Sequence, residues 1–504
     1  MEKNLIIIGI DSLDPYILKR LGTKLPFFST IIDSNDVITS ESVFPVDTIP
    51  AWMTIFTGLN PDRHGVFYVY DIFDYGFSDL SKISIEEIRE KTFWHAAGTR
   101  GYKPLVIFPL LFYPPSMQNG IMVSKSPIEE RIDQMKSRRS LLTYPREIQG
   151  KNDLPNSCET LYGGFPGVNQ LQEWTDLGKN LLYKEEEVAI RLAKNEDWDL
   201  LFVYFDTLDI IQHRLWRFFD KDDPIYPGET TLEKIIPEFY LQFDSICKRF
   251  SNLFPDATLM IISDHGHKSR PIKTVNINEY LRREQLLQIR KKNLETRIKK
   301  SIGNILLEVT SKLDIEHLLI RIVGTSGQLT GISKSLYSSS GIIDKENSRA
   351  FLSTFAGIKS YSHGGIEINR RLISENEIQK LKSDIIKILL NMRNEEGTRM
   401  MKWARSREEM FTGEYTTRIY PDIIFEMLDD YGTGWELNSE LSGRSYDHKV
   451  ASGGHAKEGT FLIANQKKKI STRRIRLADI YPSVMDILEI QPSKDDLDGV
   501  SIFR

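Results

Sequence analysis

The chain has 504 residues, 40% hydrophobic and 27% charged, an ordinary globular composition that excludes a disordered, collagenous or fibrous chain and suffices to bury a sizeable core. Its 66 basic and 70 acidic residues leave a net charge of −4, so the chain as a whole lacks the electrostatic footprint of a nucleic-acid duplex binder. The two cysteines, Cys158 and Cys247, exclude a disulfide framework and a Cys-based zinc knuckle and fit a reducing compartment.

The first element is the apolar run Leu5–Ile10. It is too short for a signal-peptide core and runs into Asp11, so it reads as the first strand of a cytoplasmic protein. No apolar run approaches the roughly 18–20 residues of a membrane span, and no membrane partner is expected. Pro104–Phe108 is a further strand, and Leu182–Ala193 is an amphipathic helix. Leu200–Phe205 and Leu259–Ile262 repeat the character of the first run: β-branched or aromatic-rich, without alternation, each followed closely by an Asp. Such runs suit strands buried on both faces of a parallel sheet, whose carboxyl ends are where ligands bind in α/β folds.

From Arg282 to Lys300 eight Lys/Arg stand against two Glu in a polar, helical stretch, which reads as a solvated face or an anion-binding surface. Ser374 and Glu377 have capping-box spacing, and Ile378, Leu381, Ile385, Ile388 and Met392 follow at helical period. Ile423–Met427 and Thr460–Ala464 are the last strands. The expectation is an α/β fold with a mostly parallel central sheet flanked by helices. Its core spans 1–270 and 420–504, and 271–419 is an inserted cap on the substrate side.

Residues able to do chemistry cluster at the strand ends. Asp11 closes the first strand, and Asp14 reads as a helix cap before Pro15. Pro50 and Gly58 bracket a short helix with Thr48 at or just before its cap, where a hydroxyl would sit beside backbone N–H groups that favour a phosphate. Asp209 and His213 stand at i and i+4, on one face if a helix starts there, with Asp206 a rival at the strand end. Asp264-His265 follows a strand directly, with His267 two residues on. His455 lies in a glycine-flanked loop, with His448 as its competitor. Each residue singly fits a turn, a cap or a surface loop. Together, five separated segments supply Asp, Thr, Asp/His, Asp/His and His, enough donors for two metal sites.

Thr48, Pro50, Thr57-Gly58, Pro61 and His64-Gly65, with Asp11, Asp209, His213, Ser263-Asp264-His265-Gly266, His455 and Gly459, resemble the alkaline phosphatase superfamily, and within it the type I phosphodiesterase/nucleotide pyrophosphatase family. The resemblance runs from Leu5 to about Gly499. Weaker matches lie at Ile107–Pro109, Tyr113–Pro115, Gly120–Ser124, Gly365–Asn369, Leu477–Pro482 and Asp498-Gly499. It implies an alkaline-phosphatase-like core, with Thr48 as nucleophile. It also implies one metal held by Asp209, His213 and His455, and a second held by Asp11, Thr48, Asp264 and His265. An Asp/His donor set without thiolates suits zinc or manganese and allows iron.

The implied activity is hydrolysis of phosphodiester or pyrophosphate bonds in small phosphate esters, nucleotides among them, through a phospho-threonine. A phosphomonoesterase, a phosphotransferase or isomerase of the superfamily, and a non-catalytic binding homologue are the rival readings. Many nucleotide pyrophosphatases carry an Asn three residues after the nucleophile, where this chain has Ala51. Trp52, with Phe67, Tyr68 and Tyr70, is the expected aromatic platform for the leaving group. Arg63, the basic residue nearest Thr48 among the motifs, is expected to cap its turn.

Overall fold

The computed structural model describes residues 5–35, 38–71, 76–79, 85–164, 166–290, 343–356, 361–437, 440–445, 448, 451–466, 468, 470, 474–491 and 497–503. Residues 291–300 of the basic stretch, and the side chains of Tyr68 and Tyr70, lie outside the described set.

Leu5–Ile10 is the central strand. It pairs in parallel with Leu200–Phe205 on one side and Thr258–Ile262 on the other. Pro104–Ile107 and Ile121–Lys125 continue the parallel ladder beyond Leu200–Phe205. Antiparallel strands close both flanks: Glu458–Ala464 against Thr258–Ile262, and Ser137–Tyr144 against Ile121–Lys125. The fold is therefore α/β with a mostly parallel central sheet, eleven-stranded in all.

The missing alternation in the apolar runs has a direct cause, because both faces of the sheet are covered. Ile6, Ile8 and Ile10 point into one core, under the helices Leu171–Asn195 and Ile235–Leu253. Leu5 and Ile7 point into the other, under Thr48–Thr57 and Ile480–Ile487. Successive side chains in a strand leave on opposite faces, so each residue of the run meets an apolar layer.

A second, smaller assembly packs beside this sheet. Its four antiparallel strands are Ala350–Leu352, His363–Ile368, Ile423–Met427 and Met401–Ser406. The helix Glu375–Leu390 opens on the Ser374/Glu377 capping box and buries Ile378, Leu381 and Ile385, the residues its period picked out. Ile423–Met427 thus belongs to the smaller sheet and not to the main alternation of strand and helix. Lys273–Asn276 pairs with Tyr431–Gly434 and Ser442–Arg444 in a further three-stranded sheet.

Two sets of bonds tie the segment around Thr48 to this assembly. Asp62 Oδ2 accepts the backbone N–H groups of Thr412 (3.1 Å) and Gly413 (2.7 Å), and Tyr420 donates its hydroxyl to the Phe44 carbonyl at 2.8 Å.

Trp52 is a core residue and not a substrate platform. Its side chain is fully buried, edge-on to Tyr204 with ring centroids 4.9 Å apart. It lies over Gly9, where an added Cβ would come within 2.6 Å of the indole Cη2. The glycine lets the helix Thr48–Thr57 settle onto the central strand. Gly9→Ala is expected to cost about 1–3 kcal/mol by overpacking. The check is a lower denaturant midpoint at unchanged m-value; a variant as stable as the parent would refute the contact.

Candidate metal centre and nucleophile

The parallel strands deliver their following residues to one edge of the sheet. Asp11 follows Ile10, and Asp264 and His265 follow Ile262. After Phe205 the chain turns into the helix Thr207–Phe219, which places Asp209 and His213 one turn apart. His455 arrives on the strand Gly453–Ala456, paired antiparallel with Gly266–Ser269.

Thr48 is the first residue of the helix Thr48–Thr57, with Asp47 as its cap and Gly58, in the left-handed region at φ 70°, ending it. His64 braces this helix. Its Nδ1 accepts the Val66 N–H at 3.0 Å, so Nε2 carries the proton toward Thr54 Oγ1 (3.2 Å) and the Pro50 carbonyl (3.3 Å). Burial lowers its pKa to about 3, so the ring stays neutral.

Two groups of ligand-type atoms result. Asp209, His213 and His455 form one, and Asp11, Asp264 and His265 the other, each with its donor atoms within 4.8 Å of one another. In the first, Asp209 Oδ2 lies 3.4 Å from His213 Nε2, and Asp209 Oδ1 lies 3.7 Å from His455 Nε2. In the second, His265 Nε2 lies 3.2 Å from Asp264 Oδ2 and 3.6 Å from Asp11 Oδ1. Thr48 Oγ1 is 3.2 Å from the same His265 Nε2.

The three imidazoles share one arrangement. Nδ1 of His213, His265 and His455 faces the carbonyls of Gly453 (2.8 Å), Gly266 (3.0 Å) and Val46 (3.1 Å). A carbonyl only accepts, so each Nδ1 carries the proton and each neutral ring turns an Nε2 lone pair inward. His213 Nε2 and His455 Nε2 stand 3.0 Å apart, lone pair to lone pair. The carboxylates are handled alike: Tyr204 donates to Asp11 Oδ2, and the Ser12 N–H donates to Asp264 Oδ1 at 3.2 Å. Their other oxygens, Asp11 Oδ1 and Asp264 Oδ2, are buried without a hydrogen-bond partner, as is Asp209 Oδ1.

Convergence of inward lone pairs and orphaned carboxylate oxygens is what a divalent cation would relieve, so the residues fit two metal ions. The charge states reflect the crowding. Burial, then the neighbouring Asp264 carboxylate, pushes Asp11 well above the usual carboxylate range. Burial lifts Asp264 to about 6.

The rival residues have other partners. His267 Nδ1 meets Ser12 Oγ at 2.8 Å, and its backbone N–H donates to Asp14 Oδ2 at 3.0 Å. Asp14 also caps the helix Pro15–Leu21, as its position before Pro15 implied. His448 is buried with Nε2 3.1 Å from both oxygens of Asp223, outside both groups. Asp206 lies 3.6 Å from Arg139 Nη1. Arg63, expected to cap its turn, pairs with Asp498 at 3.0 Å, fastening the turn to the carboxyl-terminal segment.

Sequence reasoning missed Tyr204, Ser12 and Ser263. Ser263 Oγ accepts the Leu13 N–H at 2.8 Å and donates to the His265 carbonyl at 2.7 Å. Its place before Asp264-His265 was the available signal, whereas Tyr204 stands inside an apolar strand and carries none.

The family model described as type I phosphodiesterase / nucleotide pyrophosphatase matches residues 5–320. No curated protein matches the sequence. Among solved structures, murine ectonucleotide pyrophosphatase / phosphodiesterase 5 aligns over 97% of this chain and 95% of its own, at 11% identity and a TM-score of 0.46. Phosphonoacetate hydrolase from Sinorhizobium meliloti 1021, in complex with phosphonoformate, aligns over 95% and 94%, at 14% identity and a TM-score of 0.49. Among the described residues no helix is long and apolar enough to cross a membrane.

Elemental analysis after zinc or manganese loading is expected to find two ions per chain, and about one in Asp209→Ala. Asp206→Ala and His448→Ala should retain both; equal loss across all three variants would refute the ligand assignment.

Proposed function

The chain belongs to the type I phosphodiesterase / nucleotide pyrophosphatase family, and from that premise we propose that it hydrolyses phosphodiester or pyrophosphate bonds in small phosphate esters, nucleotides among them. In this reading Thr48 is the nucleophile. One cation is held by Asp209, His213 and His455, and another by Asp11, Thr48, Asp264 and His265. Zinc and manganese are the metals the donor set favours. The observation that carries the reading is Thr48 Oγ1 at 3.2 Å from His265 Nε2, at the first residue of a helix whose amino-terminal dipole faces the same space.

When bound, the cations would lower the cost of an alkoxide on Thr48 and balance charge on the phosphoryl oxygens. The chain's own residues do the positioning. His64 fixes the helix that carries Thr48, Tyr204 turns one oxygen of Asp11 away from the space, and the three carbonyls lock the imidazoles with Nε2 inward. Thr48 Oγ1 forms a bond to phosphorus as the bond to the ester or anhydride oxygen breaks. Water then cleaves the phospho-threonine, returning the hydroxyl and releasing the phosphoryl product. Return to an acceptor alcohol instead would make the protein a phosphotransferase. The unpaired cysteines keep the cytoplasm as the proposed location.

Thr48→Ala is expected to retain both metals and to lose turnover by roughly a thousandfold or more. The lost hydrogen bond should cost only about 0.5–1.5 kcal/mol of stability. The assay compares an aryl phosphodiester, a dinucleoside diphosphate and a phosphomonoester, each with and without zinc or manganese, and with an acceptor alcohol. A clear preference for the monoester would overturn this reading, and near-normal activity of Thr48→Ala would remove the covalent step.

A further inference from the structure

Arg270 follows the strand Gly266–Ser269, its backbone N–H held by the Ser452 carbonyl at 2.7 Å. It is only 5% exposed. Its guanidinium nevertheless makes no ion pair among the described residues, and its Nε is buried without a hydrogen-bond partner. It approaches His213, with Nη2 3.5 Å from Nδ1. That Nδ1 already donates to Gly453, so two N–H groups face each other and no bond forms. A buried guanidinium keeps its charge, so a cation without an ion-pair partner among the described residues remains there.

The surroundings indicate what would compensate it. The ring of Tyr361, from the smaller assembly, lies 5.5 Å from the guanidinium carbon and 5.7 Å from the ring of His455. Tyr361 thus covers Arg270 and borders the Asp209–His213–His455 group at once. Successive contacts through three imidazoles link Thr48 to Arg270. Thr48 touches His265, whose ring stacks on His455 at 4.0 Å, and His455 meets His213, which borders Arg270. Charge follows the same line: three carboxylates against two divalent cations leave one positive charge, and Arg270 adds another. A simple diester brings a single negative charge. A pyrophosphate brings a second, displaced from the scissile phosphorus.

We propose that Arg270, covered by the face of Tyr361, is an anion subsite that receives a second phosphoryl group of the substrate and so favours pyrophosphates over simple diesters. The substrate preference rests on the hydrolase reading above, whereas the anion site itself does not.

The test uses the full, metal-loaded protein with free metal held constant. Calorimetric titration with inorganic pyrophosphate and inorganic phosphate should show pyrophosphate binding at least tenfold more tightly. Arg270→Gln should remove that difference while leaving phosphate affinity within threefold, and Arg270→Lys should restore part of it. In turnover, Arg270→Gln should lower kcat/KM at least tenfold for a dinucleoside diphosphate and less than threefold for bis(4-nitrophenyl) phosphate. The melting temperature of unliganded Arg270→Gln should equal or exceed the parent's, since a buried charge without a partner has been removed. A lower melting temperature with equal losses on both ligands would assign Arg270 a structural role and overturn the proposal, as would equal affinity of the parent for phosphate and pyrophosphate. If no phosphate ester is hydrolysed but pyrophosphate binding still depends on Arg270, the hydrolase reading fails and the anion site stands.

Discussion

Three carboxylates and three imidazole lone pairs face one another in a buried space, and the surrounding structure is arranged to hold that repulsion in place. Asp11, Asp264 and Asp209 each keep one oxygen without a protein donor, and three backbone carbonyls forbid the histidines to turn their N–H groups toward those oxygens. The alternative, an imidazole N–H bonded to each carboxylate, would be more stable in the empty protein and useless as a ligand set. Ser12 marks the strain of the arrangement. It sits at φ 65°, a region costly for a residue with a Cβ, and there it gives its N–H to Asp264 and its hydroxyl to the Gly266 carbonyl, with Oγ also against His267 Nδ1.

Parallel pairing makes the arrangement possible. Leu5–Ile10, Leu200–Phe205 and Thr258–Ile262 run the same way in neighbouring positions, so the residues that follow them emerge at one edge within reach of one another. Thr48 comes from elsewhere and must be brought to that edge. Trp52 over Gly9 seats its helix on the sheet, and His64 ties the helix to the turn that follows. Asp62 and Phe44 join the same segment to the smaller assembly. The assembly that supplies Tyr361 is therefore held in register with Thr48 by bonds to the nucleophile's own flanking residues.

Much of this was legible because it depends on local spacing. An Asp after a doubly buried strand, or an Asp and a His four residues apart at a helix start, occupies one place in an α/β fold whatever lies far off in sequence. What could not be read depends on tertiary neighbours. Tyr204 looks like any strand aromatic until Asp11 is seen beside it. Trp52 was assigned to the substrate from its nearness to Thr48, but on a helix N-terminus laid against a sheet the large apolar side chains turn inward. Arg63 found Asp498 across 435 residues, and Ile423–Met427 joined a sheet whose other strands lie before residue 420; no local pattern carries either pairing.

The departure at Ala51 and the placement of Arg270 belong to one argument about recognition. Where many nucleotide pyrophosphatases have an Asn three residues after the nucleophile, this chain buries Ala51 completely, so the first turn offers no side-chain amide for a phosphoryl oxygen. Contacts at the scissile phosphorus then come from the helix amino terminus and the ligand groups, which treat every phosphate ester alike. Discrimination must come from a group that reads the rest of the substrate. Arg270 borders His213, whereas Thr48 borders His265, so in the proposed reading Arg270 would meet a phosphoryl group next to the reacting one. Binding energy gathered there acts on a part of the substrate that does not react. In the proposed reading it would order pyrophosphates above simple diesters without changing the chemistry assigned to Thr48.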